Sequence, residues 1–123
     1  MSEDFSDIYL YKAKVLRVID GDTVDVQVSL GFNIYINERL RLFGIDAPET
    51  RTRDSVEKSA GIASKEWLFN RIHGKEIKIR THDKGTEKYG RWLVQIYIGP
   101  DNQLVNVNKE MVDLGLAKPY MTD

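Results

Sequence analysis

Arg39-Leu40-Arg41-Leu42-Phe43-Gly44-Ile45-Asp46-Ala47-Pro48-Glu49-Thr50 opens as a strand and ends as a site. Leu40 and Leu42 alternate with Arg39 and Arg41, so a period of two sets an apolar face against a core and turns guanidiniums the other way. Gly44 and Pro48 break the strand, and two carboxylates, Asp46 and Glu49, follow within four residues of each other. Arginines suit phosphate, and carboxylates suit a hard metal ion. A second acidic turn, Asp20-Gly21-Asp22-Thr23, lies between two strand-like runs upstream. Both turns are read together as one site.

Working outward, Tyr9, Tyr11, Ala13 and Val15 alternate with Lys12, Lys14 and Leu16 as a first strand ending at Asp20-Gly21-Asp22. Val24, Val26, Val28 and Leu30 alternate with Asp25, Gln27 and Ser29 as a second. Gly31 breaks it, and a third strand starts at Phe32, Ile34 and Ile36 and resumes through Leu40 and Leu42. Thr50 to Val56 is polar and reads as a mobile loop. Asp54 with Glu57 forms a capping box, so a helix is predicted to about Ile72, burying Ala63, Trp67, Leu68, Phe69 and Ile72 and stopping at Gly74. Ile77 and Ile79 mark a fourth strand. Asp83-Lys84-Gly85 and Lys88-Tyr89-Gly90 bracket a turn, and Trp92, Val94, Ile96 and Ile98 alternate in a fifth strand. Val107, Met111 and Leu114 share one face of a short helix closed by Gly115. Five short strands with a helix after the third and after the fifth suit a Greek-key β-barrel of the OB-fold type, an α+β architecture.

The 123 residues carry a net charge of −1 and no cysteine. Disulfides and thiolate metal sites are thereby excluded, and His73 and His82 stand too far apart in sequence to suggest a zinc pair. Contact with phosphate must come from a local cluster rather than from a basic molecular field. No apolar run approaches the ~20 residues that cross a bilayer, so no membrane partner is expected. Met1 to Asp7 has no basic n-region and no apolar h-region; it reads as a disordered tail before one domain over 8–123. The expectation is a cytoplasmic protein, unless an export segment was trimmed.

Each polar feature also has a bland reading. Asp20-Gly21-Asp22 suits an ordinary hairpin turn, Glu49 a solvated loop acid, and Arg41 or Arg91 the outward face of a strand. Functionally, Asp22 and Asp46 with a backbone carbonyl and waters make an oxygen cage for Ca²⁺ or Mg²⁺. Glu49 can orient or deprotonate an attacking water, and the arginine forks can take the charge of a phosphoryl transition state. Lys88 and Tyr89 can hold a neighbouring phosphate and sugar, and Tyr120 offers a face for a base. Trp67 and Trp92 fall on apolar periodic faces and are assigned to the core.

Taken jointly, four motifs in order are specific. Val18-Ile19-Asp20-Gly21-Asp22-Thr23-Val24, Arg41 to Thr50, Glu87-Lys88-Tyr89-Gly90-Arg91 and Gly115-Leu116-Ala117-Lys118 resemble the staphylococcal nuclease (thermonuclease) family over about residues 11–118. The resemblance implies a five-stranded OB barrel with packed helices. It implies a hydrolase that cleaves DNA and RNA with Ca²⁺, or another divalent ion, leaving 3′-phosphate ends. It places Asp22 and Asp46 on metal-binding aspartates, Ala47 on a backbone-carbonyl ligand, and Asp20 on an acid that reaches the metal through water. Glu49 falls on the proposed general base, Arg41 and Arg91 on the phosphate-clamping arginines, and Lys88 and Tyr89 on residues that hold the adjacent phosphate. The prototype has threonine at Ala47, a longer turn before Lys88, and its base-stacking tyrosine slightly beyond Tyr120. The prototype continues past the position of Asp123 into a third, C-terminal helix, so no such covering helix is expected within these residues. A monomer is expected, with self-association to be looked for where that cover is missing. The competing reading is a non-catalytic OB module that binds nucleic acid or protein. The intact acids and arginines weigh against it, and near-neutral charge gives a pure binder little support.

Overall fold

The computed structural model describes residues 9–120, so the tail expected over Met1–Asp7 lies outside the described residues. The chain runs β1 (Leu10–Asp20), β2 (Thr23–Ser29), β3 (Tyr35–Leu42), β4 (Ile45–Asp46), α1 (Ser55–Ile72), β5 (Glu76–Thr86), β6 (Trp92–Ile98), β7 (Val105–Asn106), α2 (Val107–Asp113) and β8 (Lys118–Pro119). The sheet order is β3-β2-β1-β5-β6-β7. Parallel pairing of β3 with β6, from Leu40↔Trp92 to Leu42↔Val94, closes it on itself. The closed barrel of β1, β2, β3, β5 and β6 is the expected five-stranded OB-type barrel, with α1 after its third strand and α2 after its fifth. The alternating valines and isoleucines fill its interior: Val24, Val26, Leu40, Ile77, Val94 and Ile96 are fully buried.

Several local expectations are corrected. The third strand starts at Tyr35, not Phe32, because the chain must reverse after β2. Gly31, Phe32 and Asn33 all take positive φ, and Ile34 N–H donates to the Gly31 carbonyl at 2.9 Å. Phe32 is left 96% exposed at the hairpin tip. β5 runs on through Asp83-Lys84-Gly85, where a turn was expected, and absorbs the extra residues as a register shift between Thr81 and Thr86. Trp92 is not core: it stands at the rim where β6 begins, 41% exposed, and walls an apolar hollow of about 560 Å³ with Tyr11, Ile36 and His82.

Helix α1 is capped as expected, with the Asp54 carboxylate accepting from Val56 N–H at 2.9 Å and Glu57 N–H at 3.2 Å. Its buried stripe, however, is Gly61, Ser64, Leu68 and Ile72. Ala63 and Phe69 face outward, and Phe69 stacks on His73 with ring centroids 4.2 Å apart. Trp67 only borders the core. The stripe holds small residues because α1 lies directly on the acidic turn: a Cβ on Gly21 would come within 2.9 Å of both Ala47 and Ser64. Leu114, expected to be buried with Val107 and Met111, is the exposed C-cap of α2. The chain turns there through Gly115, and Met111 C=O accepts the N–H groups of Leu116 and Ala117.

Asn108 was not anticipated. Buried on α2, it donates to the carbonyls of Phe43 and Val94 at 2.9 and 3.0 Å and accepts from Ile96 N–H at 3.1 Å. Each satisfied bond is worth about 1 kcal/mol. Together they tie α2 to β6 and to the segment that leads into Asp46.

Candidate active site

The two arginines of the opening stretch have different fates. Arg39 faces Asp25 across the β2–β3 ladder and grips it with Nε and Nη2 at 2.7 and 3.0 Å. Its guanidinium holds the Asp25 carboxyl below the usual range, and the pair belongs to the outer surface. Arg41, two residues on, sits opposite Thr23 and is largely buried. Its Nη1 lies 2.8 Å from Asp22 Oδ2 and its Nη2 3.5 Å from Asp46 Oδ1. One guanidinium therefore joins the two aspartates from separate turns.

Asp22 is 8% exposed and fully engaged. Its Oδ2 also accepts from Ala47 N–H at 2.9 Å, and its Oδ1 from the Thr23 hydroxyl at 3.0 Å. Asp46 stands on β4, whose pairing with β8 sets it opposite Lys118, with Nζ 4.0 Å from Oδ2. Asp20 is more remote: its Oδ1 accepts from the Thr50 hydroxyl at 2.7 Å, fastening the acidic turn to the loop that carries Glu49.

Gly61 fixes that loop from below. A Cβ at Gly61 would lie 2.4 Å from the Glu49 carbonyl oxygen and 2.8 Å from that of Pro48. Gly61→Ala is expected to lower unfolding free energy by about 2 kcal/mol in a urea titration. Helix propensity alone predicts the opposite sign, a gain of roughly 1 kcal/mol. An equal or higher midpoint would show that helix and loop do not pack this closely.

Arg41, Asp46, Glu49, Lys88, Tyr89, Arg91 and Tyr120 line one cleft of about 600 Å³. Tyr120 is held at its edge by a bond from its N–H to the Gly44 carbonyl at 2.8 Å. The Lys88 ammonium lies 5.0 Å from the Tyr89 ring centroid, and the Arg91 guanidinium carbon 5.5 Å. Asp20 and Asp22 are not on the cleft wall; Asp22 connects to it through Arg41. Arg91 Nη1 reaches the Thr23 hydroxyl at 3.4 Å, which links the second arginine to the same acidic turn.

Two participants were missed by sequence reasoning. Thr23 bridges Asp22 and Arg91, a relation visible only once β2 and β6 are assembled. Glu87 grips Arg91 with both oxygens at 3.0 Å, and only its spacing four residues before Arg91 hinted at this. The Arg91 guanidinium, helped by the N–H groups of Arg91 and Tyr89, holds the Glu87 carboxyl down at about 2.

The donor chemistry fits a hard cation. Asp22, Asp46 and the peptide carbonyl of Ala47 offer only oxygen, the choice of Ca²⁺ and Mg²⁺. Among the described residues no three His, Cys, Asp or Glu side chains gather closely enough to hold an ion by themselves. Carbonyls and water would have to complete the set.

The family model described as "Staphylococcal nuclease homologue" matches residues 39–123. The chain is 32% identical over 131 residues to an uncharacterized protein of Methanocaldococcus jannaschii, covering 92% of this chain and 61% of that one. It is 31% identical to a micrococcal nuclease of Shigella flexneri, covering 89% and 59% respectively. It is 29% identical to a thermonuclease of Staphylococcus intermedius, covering 86% and 59%. The chain thus spans about 60% of the length of these relatives.

Proposed function

The chain belongs to the staphylococcal nuclease family, and from that premise we propose that it is a Ca²⁺-dependent nuclease that hydrolyses phosphodiester bonds of DNA and RNA and leaves 3′-phosphate ends. One observation carries the reading: cations, acids and a tyrosine pair from well-separated segments share a single cleft. A scissile phosphate seated there meets Arg41 and Arg91 as planar forks whose N–H groups match its oxygens. Their charge is aimed where negative charge grows as phosphorus becomes five-coordinate. Glu49 orients the attacking water and takes its proton. Lys88 and Tyr89 hold the next phosphate and sugar, and Tyr120 at the cleft edge meets a base.

Asp22, Asp46 and the carbonyl of Ala47 would hold the cation, with Asp20 reaching it through water. When bound, the ion neutralises phosphate charge and eases deprotonation of water. Arg41, now shared between the two aspartates, is the group that must let them turn to a ligand.

Single-stranded DNA and RNA, each incubated with the protein in Ca²⁺ or in excess chelator, test the reading. Cleavage to 3′-phosphate ends is expected in Ca²⁺ alone. Equal cleavage in both tubes, or none in either, contradicts it, and binding without cleavage would favour a non-catalytic module.

A further inference from the structure

Glu87 has more to do than neutralise a neighbour. Its Oε1 accepts three bonds: from Tyr89 N–H at 3.0 Å, from Arg91 N–H at 2.9 Å and from Arg91 Nε at 3.0 Å. Its Oε2 accepts from Arg91 Nη2 at 3.0 Å. The same turn is closed by Glu87 N–H to the Arg91 carbonyl at 2.8 Å and by Gly90 N–H to the Glu87 carbonyl at 2.9 Å. The Nε–Nη2 edge of Arg91 is thus occupied, whereas among the described residues Nη1 makes the long 3.4 Å contact with the Thr23 hydroxyl and no shorter one.

Resting on the nuclease reading, we infer that Glu87 is a positioning residue: it clamps one edge of the Arg91 guanidinium and folds the Lys88-Tyr89-Gly90 turn, so that the Nη1 edge is presented to the substrate phosphate. A guanidinium on a free side chain must be ordered before it can bind a phosphate in two places, and that ordering opposes catalysis. Here it is ordered beforehand, because both carboxylate oxygens fit one side of the fork. The clamp is not a pH switch in the neutral range. The folded carboxyl lies near 2, below its ordinary 4.5, so the support it lends is complete above 4.5 and is lost only as pH falls through about 2.

Glu87→Gln separates the two tasks. The amide oxygen still accepts the turn's N–H groups, but its NH₂ confronts the Nη2 donor, so the turn persists and the fork loosens. Glu87→Asp keeps the charge on a shorter arm. Turnover and KM on single-stranded DNA in Ca²⁺ are measured for both variants, for Arg91→Ala and for the Glu87→Gln/Arg91→Ala double variant. The Arg91 Nε–H resonance is followed by ¹⁵N NMR in the wild type and in Glu87→Gln. Glu87→Gln is expected to lower kcat by ~10–100-fold with KM within about three-fold, and to add nothing to Arg91→Ala. Glu87→Asp should recover part of the loss, and the Nε–H signal should shift and broaden in Glu87→Gln. Wild-type kcat in Glu87→Gln, or losses that multiply in the double variant, would overturn the inference. If the wild type cleaves nothing, the nuclease reading fails by itself. The resonance then decides: its displacement in Glu87→Gln supports the clamp, and an unchanged signal refutes it.

Discussion

Replacing Arg91 with alanine is expected to lower kcat on single-stranded DNA by ~10²–10³-fold while KM stays within about three-fold. Arg91 lies in the cleft with Arg41 and Glu49, and its guanidinium is already held by Glu87. A donor fixed before the reaction gives most where charge appears only in the transition state, so its loss falls on turnover rather than on binding. On the proposed function, Arg41, Lys88 and Tyr89, which line the same cleft, would remain to hold the strand in the ground state. Removing Arg91 also leaves the Glu87 carboxylate facing the phosphate without its main partner, which adds repulsion. Arg91→Lys separates these contributions. It restores a positive charge near Glu87 but not the planar fork, and should fall between alanine and wild type. Full turnover in Arg91→Ala, or a change confined to KM, would remove Arg91 from the transition state.

The barrel was legible because its strands alternate over most of their length, the exceptions being the register shifts of β1 and the start of β6 at Trp92. Val24, Val26 and Val28 against Asp25 and Gln27 leave little choice of face, and Leu40 and Leu42 fixed β3 in the same way. The face of α1 was not legible, because it is chosen for closeness rather than for apolarity. Gly61 and Ser64 are buried there to admit the acidic turn and the Glu49 loop, while the greasier Phe69 is left outside. Trp92 and Leu114 misled in the opposite sense: both lie on apolar periods, but one stands at a barrel rim and the other past the end of its helix.

Of the residues proposed to carry the chemistry, Asp46, Glu49, Arg41 and Arg91 line one cleft and Asp22 joins it through Arg41; each stands out in the chain as a charged residue within an ordered motif. Residues proposed to act through others do not stand out. Thr23 and Glu87 matter for what they touch, and those contacts exist only after strands distant in sequence or a tight turn bring the partners together.

Glu49 bears the largest single demand on the proposed mechanism. Its side chain is exposed, which for most loop acids means an unordered carboxylate. Its backbone, however, is anchored from two sides, by the close approach of Gly61 and by the Thr50 hydroxyl bond to Asp20. A carboxylate on such a base can be aimed at one water. Glu49→Gln keeps shape and hydrogen-bonding capacity and removes only the ability to take a proton, so substrate should still bind. The expected loss is ~10²–10⁴-fold in the chemical step.

In the proposed mechanism this cleft grips one phosphodiester and activates one water against it. The most direct measurement is single-turnover cleavage of an end-labelled single strand by Glu49→Gln in Ca²⁺, beside equilibrium binding of the same strand. A fall of at least ~10²-fold in rate, with binding within a few-fold of wild type, is the predicted result. A wild-type rate, or a loss that appears only in binding, would contradict it.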